Sequence, residues 1–270
     1  MGTRAGDIVT ENRGTVLVVG ATGSIGRLAV AEAIRQGHDV RALVRNPGHV
    51  RQLPSEAQVV RGDLTRPDTL AAAVDGVDAI VFTHGSTGGK GGFESVDYGG
   101  VRNVLRALGS RRVRIALMTA IGVTNREGDY NRSTGAPDWK RRSERLVRAS
   151  GLPYTIVRPG WFDMNGPGQH RLVPLQGDTR HAGDPSDGVV ARRQIAEVLV
   201  RSLSSPSAVR KTFELVATTG RAPEDVDALF ASLDADPPGA LDGVRDIANM
   251  PLESEPKLVR DDLNVLINRH

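Results

Sequence analysis

Three glycines spaced three residues apart, Gly20, Gly23 and Gly26, close the apolar run Val16 to Val19 and open LAVAEAIRQG, which has helical periodicity. Gly20 permits a sharp exit from a strand, Gly23 lets backbone approach a pyrophosphate, and Gly26 lets a helix pack closely on a sheet. Phosphates would then rest on the free N–H groups at the helix N-terminus. Gly-rich turns are common, but one fused to a buried strand and a helix points to a dinucleotide.

Other residues with chemical potential follow at strand ends. DVRALV, Asp39 to Val44, reads as the second strand and runs into Arg45-Asn46-Pro47. At this distance past the glycines an acid would bind the NAD 2′-hydroxyl, whereas arginine suits a 2′-phosphate, so Arg45 favours NADP over NAD. Its plainer reading is a solvated surface arginine. Asp63, after the short strand Gln58 to Val60, suits an adenine edge, or equally a helix cap or Asx turn. Thr119, at the end of the strand Arg114 to Met118, has the choice of a nicotinamide or substrate carbonyl and a turn hydrogen bond. Only four of the 35 basic residues are lysines, at 90, 140, 211 and 257. Lys140 falls in the first turn of a helix expected over Pro137 to Ser150, with Trp139, Leu146, Val147 and Ser150 on its buried side. Lys90 tops a loop, 85–92, with five glycines, which reads as a lid or as a plain connection.

Positioning these residues takes an alternation of strands and helices. Further strands are expected at Val77 to Thr83 and Tyr154 to Arg158, with helices at Pro67 to Val74 and Asp97 to Leu108 and a loop over Thr124 to Ala136. This order predicts an α/β, Rossmann-like, doubly wound parallel sheet. Residues 20, 45, 63, 84, 119 and 159 would then line one crevice at the carboxyl ends of the strands. The Gly/Asp/Pro-rich stretch Asn165 to Gly188 reads as a small substrate lobe, followed by a helix at Arg193 to Leu203 and a strand at Lys211 to Val216. Beyond Gly220 a helix opened by Pro223 is expected, and Asp234 to Leu241 and Leu252 to Ile267 are poorly patterned. The organisation expected is a flexible tail at 1–14, a dinucleotide-binding domain at 15–220, and a C-terminal helical extension at 221–270 packed on it.

Bulk properties narrow the classes. There are no cysteines, which excludes disulfides and thiolate chemistry, and the six histidines lack metal-ligand spacing, so no metal is expected. Net charge is 35 − 32 = +3 with the cations dispersed, which gives no basis for nucleic-acid binding. A short polar start and the absence of a long apolar run argue against a signal peptide or a membrane span, so a cytoplasmic protein is expected.

The chain resembles the atypical short-chain dehydrogenases/reductases of the NAD(P)H-binding, NmrA-like group over about residues 15 to 220. The resemblance rests on GATGSIG (Gly20 to Gly26), LVRNP (Leu43 to Pro47), GDL (Gly62 to Leu64), VDYGGVRNVLRA (Val96 to Ala107) and above all WKRRSERLVRASGLPYTIVRPG (Trp139 to Gly160). It implies that Gly20, Thr22, Gly23, Ile25 and Gly26 hold the pyrophosphate, Arg45 the 2′-phosphate, Asp63 and Leu64 the adenine, and Gly85 the nicotinamide ribose region. Lys140 would bond the nicotinamide ribose, with Pro159 and Gly160 turning near the nicotinamide.

Departures from the family pattern are informative. The tyrosine that usually precedes the lysine by four residues and protonates the substrate oxygen is Ala136 here. Ala120 stands where relatives often carry serine, and Gln194 where they often carry aspartate. Tyr130 and Thr119 are the nearby hydroxyls. Two functions follow: an NADP-dependent oxidoreductase of a small carbonyl, quinone-like or conjugated substrate, with Lys140 and Thr119 as its catalytic groups, or a non-catalytic NADP(H) sensor that docks a protein partner through the segment after Gly220.

Overall fold

A computed structural model describes residues 13–86, 88–89 and 91–269. Residues 1–12 of the expected tail, and Lys90, lie outside the described residues. The apolar run forms β1 (Thr15–Val19), and α1 (Gly26–Arg35) carries the chain to β2 (Asp39–Val44) and β3 (Gln58–Arg61). After α2 (Ala71–Val74), β4 (Ala79–Phe82) leads to α3 (Gly99–Leu108) and β5 (Arg114–Met118). A short α4 (Asp129–Thr134) and α5 (Ala136–Ala149) precede β6 (Tyr154–Pro159) and β7 (Trp161–Phe162). The chain ends with β8 (Arg171–Leu175), β9 (Val189–Val190), α6 (Arg192–Ser204), β10 (Lys211–Thr218), α7 (Val226–Ala231) and α8 (Lys257–Ile267).

The sheet runs β3-β2-β1-β4-β5-β6-β10, parallel throughout, with β8 and β9 antiparallel to β10. This is the expected doubly wound fold. The strand order reverses between β1 and β4, where a crevice must open at the carboxyl ends. Side chains alternate across the pleat. Val16 and Val18 accordingly join a core with α1, α6 and α7, whereas Leu17 and Val19 join one with α3, α5 and α8. Both faces are thus covered, which is why β4 and, after Thr15, β1 are apolar throughout.

Several segments differ from expectation for local reasons. The helix expected over Pro67 to Val74 is a single 3₁₀ turn, Pro67–Thr69, followed by α2. The loop expected over Thr124 to Ala136 contains α4, stopped by Gly135 at φ 66°. The helix after Gly220 starts at Val226 rather than Pro223, because the Asp225 carboxylate caps it by accepting from the Asp227 amide at 2.8 Å. Leu252 to Ile267 contains α8, whose Val259, Leu263 and Leu266 recur at helical spacing and are buried. Among the described residues no helix is long and apolar enough to cross a membrane.

The largest departure concerns α5. Beyond the apolar side expected for it, Arg141, Arg142, Arg145 and Arg148 are buried as well. Carboxylates of the C-terminal segment cover them: Asp242 takes Arg141 and Arg145, Glu255 takes Arg142, and Asp236 takes Arg148. The segment after Gly220, expected as a docking surface, is in this part spent on holding α5. Buried ion pairs contribute little net stability, but leaving one partner alone costs about 3–5 kcal/mol. The network therefore specifies one placement of α5, the helix that carries Lys140.

Candidate functional site

The glycine turn shows three different constraints. Gly20 sits at φ +85°, and a Cβ there would lie 2.7 Å from the His84 amide nitrogen. A Cβ on Gly26 would fall 2.0 Å from the Gly20 carbonyl oxygen, so the helix start lies directly against the turn. Gly23 differs: its Cβ would meet only the Gly20 oxygen, at 3.2 Å, and otherwise face open space. The helix α1 has no side-chain cap and no acid in its first turn. The amides of Thr22, Ser24 and Ile25 make no hydrogen bond among the described residues. Uncapped N–H groups at a helix N-terminus form an anion site.

This turn forms one end of a cleft of about 720 Å³. Of the residues expected from sequence, Gly20, Thr22, Gly23, Ile25, Arg45, Asp63, Leu64, Gly85, Thr119 and Lys140 all line it. Gly26 lies behind the turn as packing. Pro159 is buried at the end of β6, and Gly160 backs onto the Gly188 carbonyl, where a Cβ would come within 2.4 Å. Neither of these two belongs to the lining.

At the β2 and β3 ends, Arg45 is exposed and Asp63 is shaped by its neighbours. Partial burial favours the neutral Asp63 carboxyl, but hydrogen bonds from the Thr65 amide (2.9 Å) and hydroxyl (2.8 Å), with Arg45 and Arg66 nearby, hold it below the usual carboxylate range. Asp63 therefore forms the Asx turn and also faces the cleft. The Leu64 carbonyl is fixed by the Asn103 side-chain amide at 2.7 Å.

At the β4 and β5 ends, Lys140 Nζ donates to Asp97 Oδ1 at 2.5 Å, and the other Asp97 oxygen accepts from the Ser86 amide at 2.8 Å. A Cβ on Gly85 would sit in ordinary contact with both, 3.7 Å from Asp97 and 3.8 Å from Lys140. His84 Nε2 faces the Val96 carbonyl at 3.1 Å; because a carbonyl only accepts, Nε2 carries the proton. Burial pushes the His84 pKa down to about 4; Asp97 opposes that shift and Lys140 adds to it, so the ring is neutral at pH 7. Thr119 donates its hydroxyl proton to Glu144 Oε1 at 2.7 Å, leaving its oxygen only as an acceptor. Glu144 is gripped in turn by Arg158, at 3.0 and 2.7 Å.

None of the three tyrosines lines the cleft. Tyr98 bonds Asp262, Tyr154 bonds Asp236, and Tyr130 lies exposed on α4. Ala136 is fully buried. Gln194 caps α6 by accepting from the Ala191 amide at 2.9 Å. Asp97, Ser86, Phe162 and Glu144 were not singled out from sequence. A carboxylate in the otherwise apolar SVDYGGV could have flagged Asp97, but its partner lies 43 residues away.

The model of a family described as NAD(P)H-binding matches residues 20–206, from the glycine turn to just past α6. The chain belongs to that family. The uncharacterised sugar epimerase YhfK of Bacillus subtilis is 32% identical over 209 residues, covering 74% of this chain and 92% of that one. Sanguinarine reductase of Eschscholzia californica is 26% identical, covering 81% and 96%. Among solved structures, an NAD-dependent epimerase/dehydratase of Bacillus halodurans superposes with a TM-score of 0.68 at 24% identity, over 82% of this chain and all of that one. That likeness establishes the fold.

Proposed function

We propose that this chain is an NADPH-dependent reductase of a small quinone-like, conjugated or carbonyl acceptor. One observation carries the reading: a dinucleotide cleft whose far end presents the Lys140–Asp97 pair and no tyrosine. The unbonded amides of Thr22, Ser24 and Ile25 suit the pyrophosphate, Arg45 the 2′-phosphate, and Asp63 with Leu64 the adenine end. The open space in front of Gly23 supports this fit. Lys140 keeps two N–H donors beyond the one given to Asp97, enough for ribose hydroxyls.

NADPH supplies a hydride when bound. The protein's part is orientation: Lys140 holds the ribose, and Thr119, an acceptor only, accepts a hydrogen bond from an amide or hydroxyl of whatever lies beside it. Among the described residues no tyrosine lines the cleft to deliver a proton. The acceptors that suit this site are those whose reduced anion is delocalised and takes its proton from water, as quinones and activated alkenes do. NADPH oxidation against a panel of quinones, enones and unactivated ketones tests this. Turnover with the first two and little with ketones is expected. Tight NADPH binding with no turnover on any acceptor would overturn the enzymatic reading and favour an NADP(H) sensor.

A further inference from the structure

A second groove, of about 690 Å³, lies on the outer side of the glycine turn and shares only Ser24 with the dinucleotide cleft. Four arginines line it: Arg27 on α1, Arg51 after β2, and Arg192 and Arg193 at the start of α6. Its apolar lining includes the half-buried Leu28, Leu53 and Pro54. Arg27, Arg51 and Arg193 are exposed and make no side-chain hydrogen bond or ion pair among the described residues.

The one carboxylate in the lining, Asp163, is already taken. It pairs with the Arg192 guanidinium and accepts from the Arg192 amide at 2.9 Å, and these contacts hold it below the usual carboxylate range. The groove thus carries 4 − 1 = +3, as much as the formal net charge of the whole chain. The buried arginines of α5 meet carboxylates, whereas Arg27, Arg51 and Arg193 meet solvent. We propose that the groove docks an acidic segment of a partner protein, with Asp or Glu side chains on the arginines and apolar ones on Leu28, Leu53 and Pro54.

Two features favour a peptide. The groove is open and does not enclose a ligand, unlike pockets that bury most of a small molecule. Among the described residues no aromatic ring lines it, so it lacks the stacking platform that single-stranded nucleic acid uses. Arg192 also ties the groove to the cleft: its Nε donates to Ser24 Oγ at 3.1 Å, and its guanidinium lies 5.2 Å from the ring of Phe162, which lines the cleft.

Fluorescence anisotropy on the full chain tests this, with a labelled peptide of glutamate and leucine, its glutamine counterpart and a single-stranded oligonucleotide. The glutamate peptide should bind, weaken as salt rises, and lose about tenfold or more in affinity with Arg27→Glu and Arg193→Glu combined. The same variant should keep its NADPH affinity and thermal stability. Equal binding of the glutamine peptide, preference for the oligonucleotide, or parallel loss of NADPH and peptide affinity would each overturn the assignment. If the charge reversal unfolds the chain, Arg193→Gln alone serves, and an unchanged peptide affinity contradicts the proposal.

Discussion

The Lys140 end of the cleft depends on a few paired residues. Asp97 is almost wholly buried and is satisfied by Lys140 and the Ser86 amide. Lys140→Met leaves that carboxylate short of its cation, and a loss of about 3 kcal/mol is expected, read as a lower midpoint in thermal unfolding. Asp97→Asn in the same background should recover most of it; no recovery would mean that the pair is not what holds the lysine. The places of Arg45, Asp63 and Lys140 in the cleft lining were legible because each falls at a fixed place after a strand or at a helix start. The direction of the Thr119 hydroxyl was not, because it is set by Glu144, 25 residues away and on another element.

At the scale of the element, the strand–turn–helix unit separates two roles for glycine. Gly26→Ala drives a methyl group into the Gly20 carbonyl and should lower stability severely, as judged by chemical denaturation. Gly23→Ala meets little inside the protein, so the fold should survive while NADPH affinity falls at least about tenfold, because the methyl group fills the space proposed for the pyrophosphate. Equal stability loss in both variants would contradict this division. The unit was fully legible, since its apolar run, glycines and helical period agree. The helix α5 was only half legible: its apolar side was plain, but arginines usually face water, and nothing near them in sequence showed that Asp236, Asp242 and Glu255 would bury them.

For the whole molecule, an ionic network joins the cleft to the C-terminal segment. It runs from Thr119 through Glu144 to Arg158, which also binds Glu214 and Asp246. Burial, reinforced by Asp178 and Asp246 and opposed by Arg158, pushes the Glu214 carboxyl up to about 7 from 4.5. The folded chain thus holds this proton more tightly than the unfolded one between those values. Its contribution is complete below about pH 4.5 and is lost as pH rises through about 7. His84 acts in the opposite sense, contributing above pH 6.5 and losing it as pH falls toward about 4. Glu214→Gln isolates the first effect: relative to the parent, its stability should rise by on the order of 3 kcal/mol across that window. Parallel stability profiles would contradict it. The fold at this scale was legible from alternation alone, whereas the network was not, because Glu144 on α5, Glu214 on β10 and Asp246 beyond it are far apart in sequence and meet only around Arg158.

The most direct test of the account is a pair of binding titrations, NADPH and NADH, on the parent chain and on Arg45→Asp. The parent should prefer NADPH. The variant should lose about tenfold to a hundredfold in NADPH affinity, as expected for removal of a charge-assisted contact, and gain in preference for NADH. An unchanged preference would contradict the placement of the dinucleotide with its 2′-phosphate at Arg45.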